Sequence, residues 1–314
     1  MNTKSIIRYL FDSDYRFLVN SNKVQFLTKH VSDVNAIEII YRAVFGENID
    51  LENPQRFNEK LQWLKLNDRN RQYAGFVDKY EVKKFVAASV GEQYIIPALG
   101  VWDSAEDIDF DSLPERFALK CTHDSSGVII VRDKRKLDIK KTKKQLQKRL
   151  KHNYYWNWRE WAYKNVTPRI MAEQYMSDSG EEGGTYTDQL TDYKIHVFNG
   201  IPKIILVCKD RYSEKGVSED FFDTEWNHLD VKRPAHRNSD VFIERPEELD
   251  QMLDIATRLA GSIPFVRVDL YVIAHRIFFG ELTLYPAGGF ETFEPDPFDY
   301  KMGQWLTLPI DKQH

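Results

Sequence analysis

The chain has 314 residues, of which 42% are apolar and 29% are charged, and its formal net charge is −4. This composition is typical of a soluble globular protein and excludes a disordered or fibrous one. The apolar runs are too short to span a membrane, and the first fifteen residues lack the apolar core of a secretory signal. Only Cys121 and Cys208 are cysteines, which excludes a disulfide framework, so we expect a cytoplasmic protein.

The first third of the chain is predicted to be mostly helical. Apolar residues recur with the spacing of one helix face over residues 37–45 and again over residues 57–66. A further helix is predicted over residues 80–89, with Gly91 just beyond its end. We therefore expect a mostly helical region over residues 1–112, within which residues 1–35 show no pattern that indicates a role.

A basic block interrupts this mildly acidic chain. Residues 132–151 contain eleven Lys or Arg and two Asp, a local charge of +9, so the remaining residues sum to −13. Such a block can bind an anionic partner, but it can equally be a solvated helix face. The aromatic residues between Tyr154 and Tyr163 that follow could stack on a ligand or pack inside a lobe. A non-catalytic binder of anionic glycan, glycolipid or nucleic acid through residues 132–163 therefore stays open.

A hairpin with cationic residues on one face is predicted around Asn199-Gly200, a dipeptide that favours a type I′ turn. If this pair forms the turn, His196 faces Lys203, Lys194 faces Ile205, and the opposite face is apolar. The cationic face would suit a polyphosphate, and an ordinary solvated face is the alternative. The polar residues on this face are Asp192, Lys194, His196, Lys203, Lys209 and Arg211.

A second hairpin brings two carboxylates together. With a three-residue turn at residues 274–276, Asp269 lies directly opposite Glu281, and Arg267 lies opposite Thr283. Like charges in such positions destabilise a sheet, and a divalent cation between them would remove the repulsion. Two carboxylates, completed by water and substrate phosphates, suit Mg²⁺. A different turn length would separate the pair.

Seven segments carry a family resemblance through their order and spacing. They are residues 53–54, 57–64, 78–80, 94–97, 113–120, 267–271 and 279–289. Over about residues 35–308 the chain resembles the ATP-grasp superfamily, and most closely its TupA-like branch, which is associated with teichuronic acid and surface polysaccharide biosynthesis. The resemblance implies an α+β ATP-grasp fold, in which two antiparallel β-lobes with helices grip ATP. Residues 113–176 would form the nucleotide lobe and residues 177–314 the C-terminal lobe with the metal site.

The resemblance also implies roles for individual residues. The expected contacts to ATP are Lys79, Lys120, the loop residues His123 and Ser126, the hinge residues Glu173, Gln174, Tyr175 and Met176, and Asp192 with Lys194. The expected catalytic cations at the γ-phosphate are Lys209, Arg211 and Arg267. The expected Mg²⁺ ligands are Asp269, Glu281 and Thr283, where Thr283 stands in place of the Asn that is common in the superfamily.

The family implies an ADP-forming, ATP-dependent carboxylate–amine ligase of bacterial capsular or cell-surface polysaccharide biosynthesis, with ATP and Mg²⁺. Its partners would be a sugar-linked carboxylate and an amine, either an amino acid or an amino sugar, and no nucleic acid. A peripheral contact with a membrane or glycolipid stays open. The alternative is a glycosyltransferase of the same pathway that uses a nucleotide-sugar and a metal.

Overall fold

A computed structural model describes residues 3–125, 127–177, 190–210 and 215–310. Its α-helices are α1 (Thr3–Phe11), α2 (Ser13–Lys23), α3 (Asp33–Phe45), α4 (Phe57–Asn67), α5 (Tyr73–Val77), α6 (Glu81–Ser89), α7 (Ile139–Leu150), α8 (Tyr155–Trp158), α9 (Leu249–Ala260) and α10 (Pro297–Trp305). Its β-strands are β1 (Ala98–Trp102), β2 (Phe117–Cys121), β3 (Ile129–Val131), β4 (Ile170–Gln174), β5 (Asp192–Phe198), β6 (Ile201–Lys209), β7 (Ser218–Asp223), β8 (His228–Leu229), β9 (Phe265–Ile273) and β10 (Arg276–Thr283).

The first sheet is antiparallel and has the strand order β1-β4-β2-β3. One of its faces packs against α7 and the segment before β2, where Phe110, Leu113 and Leu146 join a small apolar core. Strand β1 precedes residue 113 and pairs with β4, so this sheet draws a strand from the region predicted to be mostly helical. The division of the chain at residues 112 and 176 stays a prediction.

The second sheet is also antiparallel, in the order β10-β9-β5-β6-β7-β8. The helix α9 packs on one face against β9, β5 and β6. On the opposite face, Phe57 of α4 packs edge-on against Phe265, with the ring centroids 4.8 Å apart. The predicted α+β class with two antiparallel sheets is confirmed. No helix in the described ranges has the length and apolar character needed to cross a membrane.

The hairpin β5–β6 has the predicted turn but a different register beyond it. Asn199 and Gly200 both have positive φ, 47° and 82°, as a type I′ turn requires. The register then shifts between Val197 and His196, so that His196 pairs with Ile204 instead of Lys203. This shift is a β-bulge, which adds one residue to β6 and changes which side chains share a face.

The bulge changes the composition of the cationic face. Lys194 pairs with Leu206 and Asp192 pairs with Cys208, so Lys209 lies on the other face of the sheet. A one-residue shift moves every later side chain of a strand to the opposite face. The predicted shared face of Lys209 with Asp192 and Lys194 is therefore wrong, and Arg211 lies outside the described residues.

In the hairpin β9–β10, Asp269 and Glu281 pair as predicted, but the turn and the register between the turn and this pair differ from the prediction. Its turn has two residues, Ala274 and His275, instead of three, so the predicted turn length is wrong. A second register shift at Gly280 then compensates, and Asp269 pairs with Glu281. A Cβ atom on Gly280 would lie 3.0 Å from the carbonyl oxygen of Asp269, so glycine allows the two strands to approach closely at the bulge.

Candidate nucleotide and metal site

A cavity of about 170 Å³ lies between the two sheets. Six of the predicted nucleotide contacts line it, four of them in one continuous segment of the chain. Because they come from β2, the end of β4 and the start of β5, both sheets are needed to form it. The lining residues are Ile96, Ala118, Lys120, Val128, Ile130, Arg132, Glu173, Gln174, Tyr175, Met176, Leu190, Asp192 and Tyr271.

One end of the cavity is built around the buried carboxylate of Glu173, which is 5% exposed. Lys120 of the neighbouring strand β2 forms an ion pair with its Oε2 atom. Lys83 of α6 forms a second ion pair with Oε1, at 2.7 Å. The Glu173 carboxylate therefore pairs with two lysine side chains, of which Lys120 lines the cavity.

Neighbouring charges and burial shift the pKa values of Glu173 and Lys83 in opposite directions. Burial alone would raise the pKa of Glu173, but the charges of Lys120 and Lys83 outweigh it and lower the pKa. Burial lowers the pKa of Lys83, while Glu173 opposes that shift. Sequence reasoning did not identify Lys83. No local sequence signal marks it, because its ion pair depends on how α6 packs beside β4.

The other end of the cavity is apolar. Met176, Leu190 and Tyr271 pack with a small cluster formed by Ile96, Ile273 and Phe278. Of the predicted hinge residues, Gln174 donates its backbone N–H to the carbonyl oxygen of Pro97 at 3.0 Å. An apolar lining at one end and a lysine at the other fit a nucleotide, whose base is apolar on its faces and whose phosphates are anionic.

The predicted phosphate loop lies against α7. The Lys79 ammonium group donates to the carbonyl oxygen of Asp124, and the Asp124 carboxylate pairs with Arg149 at 2.6 Å. His123 is buried, with its Nε2 atom 3.2 Å from the carbonyl oxygen of Arg149, and burial lowers its pKa. Asp124 thus has a cationic partner within the protein. Ser126 lies outside the described residues, and a phosphate contact by His123 stays a prediction.

The two opposed carboxylates share one arginine. Arg267 binds Asp269 with two hydrogen bonds, Nε to Oδ1 at 2.6 Å and Nη2 to Oδ2 at 2.7 Å. The same Nη2 atom lies 3.3 Å from Oε1 of Glu281 and 3.1 Å from the hydroxyl oxygen of Thr283. Lys194 forms a further ion pair with Asp269. The argument that the pair needs a metal to offset its repulsion is therefore wrong, because Arg267 and Lys194 already offset it.

The remaining oxygen lone pairs still fit a hard cation. Each carboxylate oxygen can accept two hydrogen bonds. Oδ1 of Asp269 accepts one, from Arg267, and Oε2 of Glu281 accepts none from the described residues. Mg²⁺ prefers such carboxylate oxygens and takes its other ligands from water and phosphate. The Thr283 hydroxyl lies 3.1 Å from Oε1 of Glu281 and 3.1 Å from Arg267, so its contacts orient these two groups.

The same contacts shift the pKa values of Asp269 and Arg267. Burial alone would raise the pKa of Asp269, but Arg267 and Lys194 lower it, so the carboxylate is charged and able to bind a cation. Burial would lower the pKa of Arg267, and the carboxylates of Asp269 and Glu281 raise it instead. Lys194 also lies 3.5 Å from Asp192, which lines the cavity, so the nucleotide cavity and the carboxylate pair form one continuous site.

Glu160 is a buried carboxyl group that sequence reasoning missed. It is 4% exposed, and burial raises its pKa to about 8, partly opposed by Lys65 and supported by the charge of Glu281. Lys65 is buried as well, and burial lowers its pKa to about 7. No local sequence signal marks Glu160, because its burial depends on the packing of α8 against distant parts of the chain.

Comparison with known proteins agrees with this architecture. A family model described as TupA-like ATPgrasp matches residues 59–307. No curated protein matches the chain. Solved structures match only distantly. The ATP-grasp ligase PsnB complexed with minimal precursor has 10% identity and a TM-score of 0.37, with 69% of this chain and 54% of that chain covered.

Two D-alanine–D-alanine ligases have similarly low sequence identity and TM-scores. The enzyme from Helicobacter pylori has 13% identity and a TM-score of 0.38, with 74% of this chain and 61% of that chain covered. The enzyme from Bacillus anthracis, complexed with ATP, has 12% identity and a TM-score of 0.41, with 87% and 82% covered. The chain thus spans 54% of PsnB and 61% of the Helicobacter pylori enzyme. Similarity at this level carries no argument about site residues or substrates.

Proposed function

Because the chain belongs to the TupA-like ATP-grasp family, we propose that it is an ADP-forming, ATP-dependent carboxylate–amine ligase. The terminal phosphoryl group of ATP passes to a substrate carboxylate, which releases ADP and forms an acyl phosphate. An amine then attacks the acyl carbon and displaces phosphate. The observation that carries this proposal is the pairing of Asp269 with Glu281 beside Arg267, continuous with the cavity between the two sheets.

Phosphoryl transfer needs positioning and charge neutralisation more than covalent chemistry from the protein. In the proposed site, Lys120 faces the α- and β-phosphates, and the apolar end near Met176 holds the adenine. Lys83 acts through the Glu173 carboxylate that it shares with Lys120. Arg267 lies at the γ-phosphate end, where its guanidinium orients Asp269 and Glu281. Mg²⁺ bound by these two carboxylates would neutralise the phosphate oxygens as charge develops.

The cations predicted to contact ATP or to act at its γ-phosphate have unequal support. Arg267 and Lys194 lie on the same sheet face as the carboxylates, which supports their proposed role. Lys209 lies on the opposite face, so its catalytic role rests on the family resemblance alone. The roles of Lys79, His123, Ser126 and Arg211 rest on that resemblance too.

The proposed substrates are a sugar-linked carboxylate, such as a uronic acid, and an amine from an amino acid or amino sugar. The proposed pathway is bacterial capsular or cell-surface polysaccharide biosynthesis in the cytoplasm, with teichuronic acid as one candidate product. Both proposals rest on the association of the TupA-like family with surface polysaccharide biosynthesis. A panel of uronic acids, UDP-uronates, amino acids and amino sugars in a coupled ADP assay tests them. ADP release should require one carboxylate and one amine together.

The site assignment has its own test. Glu281→Gln removes a carboxylate charge without changing its shape, and should lower turnover with Mg-ATP about 100-fold or more. Glu52→Gln, on an exposed loop, is the matched control and should leave turnover unchanged. Full turnover in Glu281→Gln would refute the site. Thermal stabilisation by a UDP-sugar but not by ATP would instead favour a glycosyltransferase.

A further inference from the structure

A second groove, of about 700 Å³, lies on the outer side of the predicted phosphate loop. One wall is residues 23–26 and the other is the C-terminal half of α7. Asp124 and Ser125 of the loop line it as well. The groove therefore adjoins the predicted phosphate end of the nucleotide site, but it shares none of the residues that line the cavity between the sheets.

The groove is strongly cationic. Lys23, Lys148 and Lys151 line it, and none of the three pairs with a carboxylate of the described residues. The only carboxylate in the lining is Asp124, whose charge is offset by Arg149 at 2.6 Å. The lining therefore has a net charge of +3, which raises the local concentration of anionic ligands.

The side chain of Gln25 ties the N-terminal wall to the segment that follows α7. The Gln25 amide nitrogen lies 2.8 Å from Nε2 of His152, 2.9 Å from the carbonyl oxygen of Asn153 and 2.7 Å from Oδ1 of Asn157. Burial lowers the pKa of His152, so the ring adds no charge near neutral pH. These contacts build the groove from two segments that are more than 120 residues apart, since Gln25 and His152 differ by 127 positions.

The surroundings of the groove argue against nucleic acid. Binding of single strands relies on exposed aromatic rings that stack on bases. Here Trp158 packs against Phe290, with the centroids 5.5 Å apart, and Tyr154 of the lining packs against Tyr163, with the centroids 4.8 Å apart. Phe26, 67% exposed, is the one open aromatic ring among the lining residues, and a single ring does not form the row of surfaces on which successive bases stack. The aromatic residues after the basic block are thus occupied by packing. The groove instead offers amide and phenol groups beside its lysines, which suits the hydroxyl groups of a glycan.

We propose that this groove binds an anionic oligosaccharide, with carboxylate or phosphate groups along its chain, as the acceptor that extends toward the phosphate loop. The assignment as acceptor rests on the proposed ligase function, whereas the binding itself does not. Lys23 and Lys148 contact the ligand's anionic groups from opposite walls. This gives a function to the N-terminal segment and to one flank of the basic block.

The other flank of α7 supplies a matched control. Lys140 and Lys144 are exposed lysines of the same helix, and they do not line the groove. Binding is measured by titration calorimetry at about 0.15 M salt, where long-range charge effects are screened. The probes are an oligogalacturonate and a phosphorylated mannan oligomer. Neutral maltooligosaccharide, single-stranded oligothymidylate and phosphatidylglycerol vesicles complete the set.

The double variant Lys23→Gln/Lys148→Gln should weaken binding of an anionic glycan about tenfold, because two cationic contacts are lost. Lys140→Gln/Lys144→Gln should change it less than twofold. Stronger binding of the carboxylate or of the phosphate probe identifies which group the ligand carries. Equal losses in the two variants, no binding of either glycan, or tighter binding of oligothymidylate or vesicles would overturn the proposal. Failure of the ligase proposal would appear separately, as ATP-bound protein that forms no ADP while glycan binding persists.

Discussion

Arg267→Met tests whether the opposed carboxylates form a cation site. The variant keeps an unbranched apolar stem but removes the charge that Asp269 and Glu281 share. Two unit charges about 5 Å apart at an effective dielectric of about 20 repel by roughly 3 kcal/mol. Removing one partner from a buried ion pair costs about 3–5 kcal/mol. Glu281 is 39% exposed and Lys194 still pairs with Asp269, so we expect a loss near 3 kcal/mol.

The assay is urea denaturation with and without Mg²⁺. An ion at ten times its dissociation constant stabilises the folded state by about 1.4 kcal/mol. The gain should be larger in Arg267→Met than in the wild-type chain, because the variant's two carboxylates lack the arginine that they share. Ca²⁺ and Na⁺ at equal ionic strength separate site binding from screening.

Arg159→Met is the control for loss of a buried arginine. Arg159 is 2% exposed and donates to the carbonyl oxygen of Thr28 at 2.8 Å, with Asp33 at 3.6 Å. It should also lose stability, yet gain nothing extra from Mg²⁺. The reasoning is refuted if Mg²⁺ stabilises both variants equally, or if Arg267→Met is as stable as the wild-type chain.

Two further predictions concern a buried acid and a bulge. Because the pKa of Glu160 is raised to about 8 from 4.5, the folded protein keeps a proton that the unfolded chain releases. The contribution of Glu160 to stability should thus fall as pH rises from 4.5 to 8, so the stability of Glu160→Gln should fall less across that range than that of the wild-type chain in urea denaturation; an unchanged slope would contradict the assignment. Gly280→Val should lower the free energy of unfolding by about 1–3 kcal/mol and abolish turnover, because its side chain would clash with the backbone of Asp269. Gly75→Ala, with nothing within 4 Å of an added Cβ atom, is its control, and equal effects of the two variants would refute this role of the bulge.

Much of the fold could be predicted from the sequence, because its signals are local. Helical periodicity identified α3, α4 and α6, and Asn199-Gly200 identified the turn of β5–β6. The segments that resemble the TupA-like ATP-grasp branch led to the family that the comparison confirms. The same resemblance predicted Lys120 and Glu173 as ATP contacts, and both line the cavity between the sheets.

Which side chains share a face of each hairpin could not be predicted, because a single bulge moves the later side chains of a strand to the opposite face. One bulge removed Lys209 from the face of Lys194, and another restored the pairing of Asp269 with Glu281 after the turn length had been misjudged. Bulges depend on how strands twist and pack against their neighbours, which leaves little trace in a short sequence window.

Contacts between segments far apart in the sequence could not be predicted either. Lys83 joins Glu173 from a helix 90 residues earlier in the sequence, and Gln25 builds one wall of the basic groove across 127 positions. The sequence by itself determined which charged groups the protein has and the family it belongs to. Only the tertiary structure decided which of those groups neutralise one another and which face a cleft, because burial and pairing are properties of packed elements.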